Sequence, residues 1–506
     1  EQPPSAQQQQ QPRRRRQRRS RPHQEQPQQP QQQPPQQKPQ QKLQQKSQQQ
    51  KRQQKKHQQQ KKKNQDEDED QEKGEVGRGK QDGASQKPPS RRRGRRRHPR
   101  KPNREGSVDE EAQERRHFLQ VVRSYDEYVA HGTGELVRRK RHLLALPGDQ
   151  LARLPGGEAG VRAQLGTMLT AVRANGEFCQ RVAREDNSYH RSFETTMNER
   201  TSSVGRTVAE SIQSEETLPI RATWVERSSA ANMSKVVSAL WQLAREWSSD
   251  GEAQRAQCLE PMLAELMRIR PVTSANRNKQ RVLAPGCGAG RIVLELAIRG
   301  YAAMGNEFCY GMLLVATFML NRSTRRNEFT IHPWVTKRGN HFTDSAASRP
   351  VQIPDLCARE ALSIAAESGD GDGPSLSMCA GPFLVEFSKP EHAGEWAAVL
   401  TCFFIDTAPN ILDYIDCIWQ LLEPGGVWIN NGPLLYHWAA QADSSDDPRY
   451  EQSVELSYEA VRHVAEGVGF VFEHEARCDC HYASDPTSMM ATAYNTVLFS
   501  ARKPKS

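Results

Sequence analysis

Hydrophobic positions change their spacing along this chain, and the changes divide it into three parts. From Glu1 to about Asn103 there is almost no apolar residue and therefore no period. A segment built of Gln, Pro, Lys and Arg cannot bury enough surface to offset its ordering entropy, so 1–108 is expected to be a disordered tail. From Glu114 onward Phe118, Val121, Val122, Tyr125 and Tyr128 recur at helical spacing until Gly132 and Gly134. Further helices are predicted over Leu136–Leu146, Gly160–Ala174, Phe178–Val182, Ser234–Trp247 and Ala253–Ile269, with Pro147-Gly148 and Pro155-Gly156 as punctuation. Asp186–Pro219 is polar and predicted to be a loop. The second part, 109–275, thus reads as a helical N-terminal domain.

The third part, 276–506, alternates short apolar runs with helical stretches. Val282–Ala284 stops at Pro285, and Arg291–Ile298 follows with helical spacing before Gly300. Tyr310–Asn321 reads as a helix. Val399–Ile405 (VLTCFFI) is a continuous apolar run suited to a central parallel strand, predicted to end in Asp406. Asn410–Leu422 is helical and halted by Pro424-Gly425-Gly426, Val427–Asn430 is the next strand, and Tyr458–Val468 is a helix. Phe470–Glu473 and Thr496–Ala501 read as short closing strands. Such alternation predicts an α/β fold with a doubly wound, Rossmann-like sheet. The stretch at about 322–395 lacks this regularity and is expected to be a long insertion, of the kind that often serves as a lid.

The densest chemistry lies in VLAPGCGAGRIVLELAIRGYAAMGNE, Val282–Glu307. Gly286, Gly288 and Gly290 form a turn between strand and helix, where backbone can approach a ligand and the free N–H groups of the helix favour an electron-rich partner. A dinucleotide fingerprint wants glycines at the first, third and sixth places, but the sixth here is Arg291. Glycine at the first, third and fifth is the pattern of class I S-adenosylmethionine-dependent methyltransferases. Glu307 stands about twenty residues beyond the first glycine, where an acidic residue receives ribose hydroxyls. The same turn also occurs in folds that bind no ligand.

Charge sharpens the division. The net charge of +10 is misleading, because Glu1–Arg104 holds thirty Lys and Arg against ten Asp and Glu. The body beyond is therefore acidic, with a net charge of −10. Arg13–Arg16 and Arg91–Arg97 offer weak, non-specific attraction for RNA or other anions, and no interleaved aromatics suggest more. The ten cysteines form no CxxC pair, which suits a reduced intracellular enzyme. Cys478-Asp479-Cys480-His481 lacks a second ligand pair, so no metal is expected. The longest apolar run, Met312–Leu320, is too short to cross a bilayer, and no membrane association is expected. A cytoplasmic location, with the nucleus as a second site, fits these features.

Beyond the glycine turn, FMLNR, IHPW, TCFFIDTAPNILDYIDCIWQLLEPGGVWINNGPLLYHW, and SMM followed by YNTVLF resemble the carnosine N-methyltransferases, formerly the N2227-like proteins. The resemblance spans roughly Glu114 to Pro504 and leaves the tail outside. It implies S-adenosylmethionine as methyl donor, the imidazole of carnosine as acceptor, anserine as product, and a homodimer. Position by position, it implies that Gln242, Arg245, Gly286, Glu307 and Phe383 meet the cofactor. Pro382 stands where the family has an Asp, which removes a carboxylate from the adenine end. Asp406, His437 and Tyr494 match the dipeptide-binding residues, and Asp406 is the expected acid–base group. Read without the family, Asp406 could equally cap a helix, His437 could be a packed histidine and Tyr494 a core residue. Two other functions stay open on sequence grounds. The acceptor could be another histidine dipeptide or a protein histidine, or the methyltransferase fold could be vestigial in an RNA-associated protein.

Overall fold

The computed structural model of the chain describes residues 104–185, 229–337, 339–367, 373–439 and 447–505. The expectations for the tail before Arg104 and for Asp186–Pro219 lie outside the described residues. Among the described residues, the main helices before the sheet are α1 (Arg104–Asp126), α2 (Tyr128–Leu144), α3 (Gly157–Glu185), α4 (Ala230–Trp247), α5 (Glu252–Cys258) and α6 (Glu260–Ile269), with a single turn at Gly148–Leu151 between α2 and α3. Helix α3 runs unbroken where two helices were expected. Gly176 sits inside it because Val129 packs where a Cβ would stand, leaving 2.0 Å to its Cγ2. The single helix expected over Ala253–Ile269 is split at Leu259, since Pro261 has no N–H to continue the preceding turn and suits the first turn of a new helix.

The remaining elements are β1 (Arg281–Pro285), α7 (Arg291–Ile298), β2 (Ala302–Glu307), α8 (Tyr310–Asn321), β3 (Phe329–Ile331), β4 (Val351–Ile353), α9 (Ala358–Glu367), β5 (Leu376–Ala380) and α10 (Phe383–Phe387). They continue with β6 (Trp396–Cys402), α11 (Ile411–Leu421), β7 (Leu422–Gly432), α12 (Tyr458–Val468), β8 (Val471–His481) and β9 (Ala493–Arg502). Seven strands form one sheet in the order β5-β2-β1-β6-β7-β9-β8, while β3 and β4 pair separately. The first five strands of that order are parallel, and β9 runs antiparallel between β7 and β8. This is the doubly wound sheet of class I methyltransferases. The strand order reverses between β1 and β6, so the crevice beyond their carboxyl ends is where ligands gather.

Alternation along the strands builds both faces. Val282, Ala284, Ala398, Leu400, Val427 and Ile429 pack against α6 and α7, whereas Leu283, Val399 and Trp428 pack toward α11 and α12. Strands buried on both faces read as continuous apolar runs, which is why β1, β6 and β7 were visible in sequence. Strand β5 was not. It is an edge strand, its LSMCA sequence is only partly buried, and it lies inside the stretch assigned to an insertion at about 322–395. That stretch therefore supplies part of the sheet.

The helical layer does not stand apart. Residues Arg100–Ser506 form one compact unit, and α1, α3 and α4 share a hydrophobic core with α8 and with β3 and β4. Tyr125 Oη donates to Gly311 O at 2.7 Å. Asn175 bridges Tyr128 and the backbone of His332, and Trp241 Nε1 donates to Pro333 O at 2.9 Å. The apolar stripes of these helices are satisfied by the sheet domain rather than by one another alone, so the described residues of the two share one core.

Candidate functional site

The glycine turn closes β1 onto α7 with Gly286, Gly288 and Gly290 at φ of 64°, 59° and 87°, a region L side chains rarely adopt. Two positions also lack room. A Cβ on Gly286 would lie 2.4 Å from the Phe404 ring, and one on Gly288 would lie 2.7 Å from Glu246 Oε1. The free N–H groups expected at the start of α7 are in fact partly engaged. Glu246, the penultimate residue of α4, brings its Oε2 to 3.4 Å from the Arg291 amide, and the Ala289 amide also points at its carboxylate. Burial pushes the Glu246 carboxyl above its ordinary range, opposed by neighbouring Arg245 and by those amides.

Arg291, at the place a dinucleotide fingerprint reserves for glycine, is buried in an ionic network. Its Nε donates to Glu295 at 2.7 Å, and its Nη1 reaches Asp355 at 2.7 Å and Glu246 O at 3.0 Å. Asp355 also pairs with Arg255, which donates to the carbonyls of Arg245 and Ser248. The network ties the end of α4 to the glycine turn. Breaking a buried pair of this kind by deleting one partner typically costs about 3–5 kcal/mol, because the other charge is left uncompensated.

Glu307 ends β2 as expected. Its carboxylate accepts from Gly288 N at 2.9 Å, Phe308 N at 2.9 Å and Cys309 N at 2.8 Å. Burial raises its pKa and the three amides hold it down. Each carboxylate oxygen has two lone pairs, so Oε2, which accepts only from Gly288 N, can still receive a ribose hydroxyl.

Gln242 and Arg245 on α4 form the facing wall of the cleft, together with Gly286, Gly288, Phe403 and Tyr482. Gln242 Nε2 donates to Tyr482 Oη at 2.5 Å. The Arg245 guanidinium lies 4.4 Å from the Tyr482 ring centre and 5.8 Å from that of Phe403, and its buried Nε has no partner. A buried guanidinium donor left open beside a glycine turn fits a ligand carboxylate.

The residues matched to dipeptide binding come from two loops and a strand. Strand β6 ends at Cys402, earlier than the predicted Ile405, because Phe403 turns the chain with φ of 53° and donates its N–H to Asn431 O at 2.9 Å. Non-glycine residues in that region are uncommon, and such strain clusters at functional sites. Asp406 is consequently carried by a short helical turn, Ile405–Thr407, and is 2% exposed. Its Oδ2 accepts from Leu435 N at 2.8 Å, and its carbonyl accepts from His437 N at 3.1 Å. Burial raises the Asp406 carboxyl, opposed by the Leu435 amide and by His437. The helix-cap alternative fails, since Asn410 caps α11 by accepting from Leu412 N at 3.1 Å. His437 is exposed rather than packed. Tyr494 on β9 is half-buried, 5.7 Å from Phe403 and 6.4 Å from Tyr482 between ring centres.

Phe383 does not join either group. It is 3% exposed and packed among Phe387, Phe404 and Tyr414, directly after Pro382 at the start of α10. Its contact with Phe404, whose ring abuts Gly286, places it behind the glycine turn. Glu246, Phe403 and Tyr482 were not singled out from sequence. Glu246 follows Arg245 directly, but a helix-terminal Glu carries no local signal. Phe403 was read as strand interior, and Tyr482 lies in a stretch to which no element was assigned. Among the described residues no group of three His, Cys, Asp or Glu could hold a metal ion, and no helix is long and apolar enough to cross a membrane.

Comparison with known proteins agrees with the sequence pattern. The profile of the family described as carnosine N-methyltransferase matches residues 222–505, from just before α4 to the end of β9. The mouse carnosine N-methyltransferase is 32% identical over 405 residues, covering 80% of this chain and 90% of that protein. The Dictyostelium discoideum carnosine N-methyltransferase is 40% identical over 270 residues, covering 53% of this chain and 54% of that protein. Among solved structures, Haemonchus contortus phosphoethanolamine N-methyltransferase 2 in complex with S-adenosyl-L-methionine is 14% identical, with a TM-score of 0.29, covering 54% of this chain and 58% of that one.

Proposed function

The chain belongs to the carnosine N-methyltransferase family, and from that premise we propose that it methylates a ring nitrogen of carnosine, giving anserine, with S-adenosylmethionine as donor. The observation that carries the reading is the pairing of two chemistries at neighbouring strand ends. The glycine turn after β1 and the unpartnered Arg245 Nε form one side, and buried Asp406 beside exposed His437 forms the other. Phe403 stands between them, lining the cleft and touching Tyr494.

Arg245 and Gln242 fit the carboxylate of the donor, and Glu307 its ribose hydroxyls. When bound, the donor supplies an electrophilic methyl group. Everything else falls to the protein's own side chains. A free imidazole has a pKa near 6.5, so most of the acceptor is already neutral at cytosolic pH. The site has to present one ring nitrogen and take the proton from the other. Asp406 accepts that N–H, which fixes the tautomer and balances the positive charge as the ring is alkylated. Burial raises its pKa above the ordinary carboxylate value, which makes it the better proton acceptor. Positioning supplies the rest, with Phe403 and Tyr494 as the aromatic walls.

The decisive experiment incubates the full chain with carnosine and labelled S-adenosylmethionine and identifies the methylated nitrogen by NMR. Binding of the donor without methylation of carnosine would move the acceptor to another histidine dipeptide or a protein histidine. A homodimer, testable by light scattering, and a cytoplasmic and nuclear distribution belong to the same proposal.

A further inference from the structure

Once the internal ion pairs are assigned, two charges remain facing the cleft. Among the described residues that line it, Arg255 and Arg291 are both held by Asp355, at 2.5 and 2.7 Å. That leaves Arg245 and Glu246, adjacent in sequence, the one cation and the one carboxylate of the lining not committed to a close partner of opposite charge. They stand 3.7 Å apart, longer than a charge-assisted hydrogen bond. Arg245 Nε has no acceptor. Glu246 uses Oε2 on the Arg291 amide, while Oε1 lies against Gly288, where a Cβ would come within 2.7 Å. The glycine there keeps the carboxylate in line with the cleft.

A cation and an anion side by side, both buried and both incompletely paired, complement a zwitterion better than they complement each other. We propose that Glu246 is the residue that receives the α-ammonium group of the donor's amino-acid end, while Arg245 receives its carboxylate. This rests on the reading of the cleft as the S-adenosylmethionine site. Glu246 then has two tasks. One oxygen caps the glycine turn and the other reads the ligand's positive charge, so the turn is ordered before the ligand arrives and the carboxylate is not left without a partner afterwards.

The two tasks separate experimentally. Calorimetry on the full chain compares S-adenosylhomocysteine with its desamino analogue, which keeps the carboxylate and adenosine but lacks the ammonium. Wild type is expected to prefer S-adenosylhomocysteine by about tenfold or more, the scale of a hydrogen bond between charged groups. Glu246→Gln retains an acceptor for the Arg291 amide but not the charge. It should weaken S-adenosylhomocysteine by a similar factor and leave the desamino analogue unchanged, so that the preference disappears. Equal weakening of both ligands, or of neither, would reduce Glu246 to a cap and overturn the inference. Wild type alone also decides it, should the Gln variant not fold, because equal affinity for the two ligands leaves no ammonium contact to assign. Failure of wild type to bind S-adenosylhomocysteine at all overturns the reading of the cleft, and this inference with it.

Discussion

The two halves of the proposed site are built by opposite strategies. On the donor side, the turn, its capping carboxylate Glu246, and Glu307 with three backbone N–H bonds are fastened to one another over short reaches of the fold. On the acceptor side, Asp406, His437 and Tyr494 come from the chain after β6, the chain after β7, and β9 itself. Among the described residues, one side-chain hydrogen bond, from Leu435 N to Asp406, ties that group to its neighbours, and His437 is exposed. A donor shared by many methyltransferases can be met by a rigid, pre-paired pocket. A specific acceptor is selected by loops that the sheet merely aims.

The sharpest way to break that comparison is at Asp406. If the acceptor side carries the acid–base chemistry, Asp406→Asn removes the group that takes the imidazole proton while preserving shape. Turnover should fall by about a hundredfold or more, since general-base catalysis is worth roughly 10²–10⁴ in rate. Donor binding should be unaffected. A turnover assay paired with calorimetry reads both, and near-normal turnover would remove Asp406 from the chemistry. On the donor side, the corresponding change is Glu307→Ala. It should weaken S-adenosylmethionine by about 1–3 kcal/mol, the range for hydrogen bonds involving charged groups, and leave the rate at saturating donor largely intact. Equal losses in affinity and saturated rate would mean that the halves are not separable.

What could be read beforehand follows the same division. Val282–Glu307 is contiguous, so its strand, turn, helix and terminal acid were all legible, down to the discriminating Arg291 at the sixth place. Helices Tyr310–Asn321 and Tyr458–Val468 have the predicted bounds because each has a clear stop. The capping of the turn by Glu246 was not legible, because it depends on the end of α4 meeting the glycine turn, a contact between residues 45 apart in sequence. Nor was the early end of β6. Phe403 continues an apolar run by composition, and only the tertiary bond to Asn431 turns it into the left-handed region. Strand β5 was hidden for a third reason, since an edge strand need not be apolar on both faces.

A smaller effect tests whether Asp406 is as buried in solution as its contacts require. Burial raises its pKa above the ordinary 3.8. In the interval between the ordinary and the raised value, the folded chain holds a proton that the unfolded chain has released. Stability contributed by this group is therefore present at low pH and lost as pH rises through the raised value. Asp406→Asn has no such proton. Its melting temperature should decline less than that of wild type between acidic and neutral pH, measured by calorimetric scans at several pH values. Parallel declines would mean that the carboxylate is solvated and the acceptor loops are more open than their hydrogen bonds imply.

The smallest expected effect is at the chain's basic end. Glu1–Arg104 has almost no apolar residue and lies outside the matched region, which starts at residue 222 for the family profile. Neither half of the site draws a residue from it, since Gln242 is the first of the cleft-lining side chains. Truncation before Glu105 should leave the rate and donor affinity unchanged with a free dipeptide as acceptor. If the arginine clusters attract RNA, that binding should vanish with the truncation and fall steeply with salt in the full chain, since it rests on counterion release. Methyl transfer to a zwitterionic dipeptide in a cleft should show no comparable salt dependence. A large loss of turnover in a folded, truncated chain would mean that the acceptor loops take support from the tail, and the contrast between a fixed donor side and a lightly tethered acceptor side would have to include it.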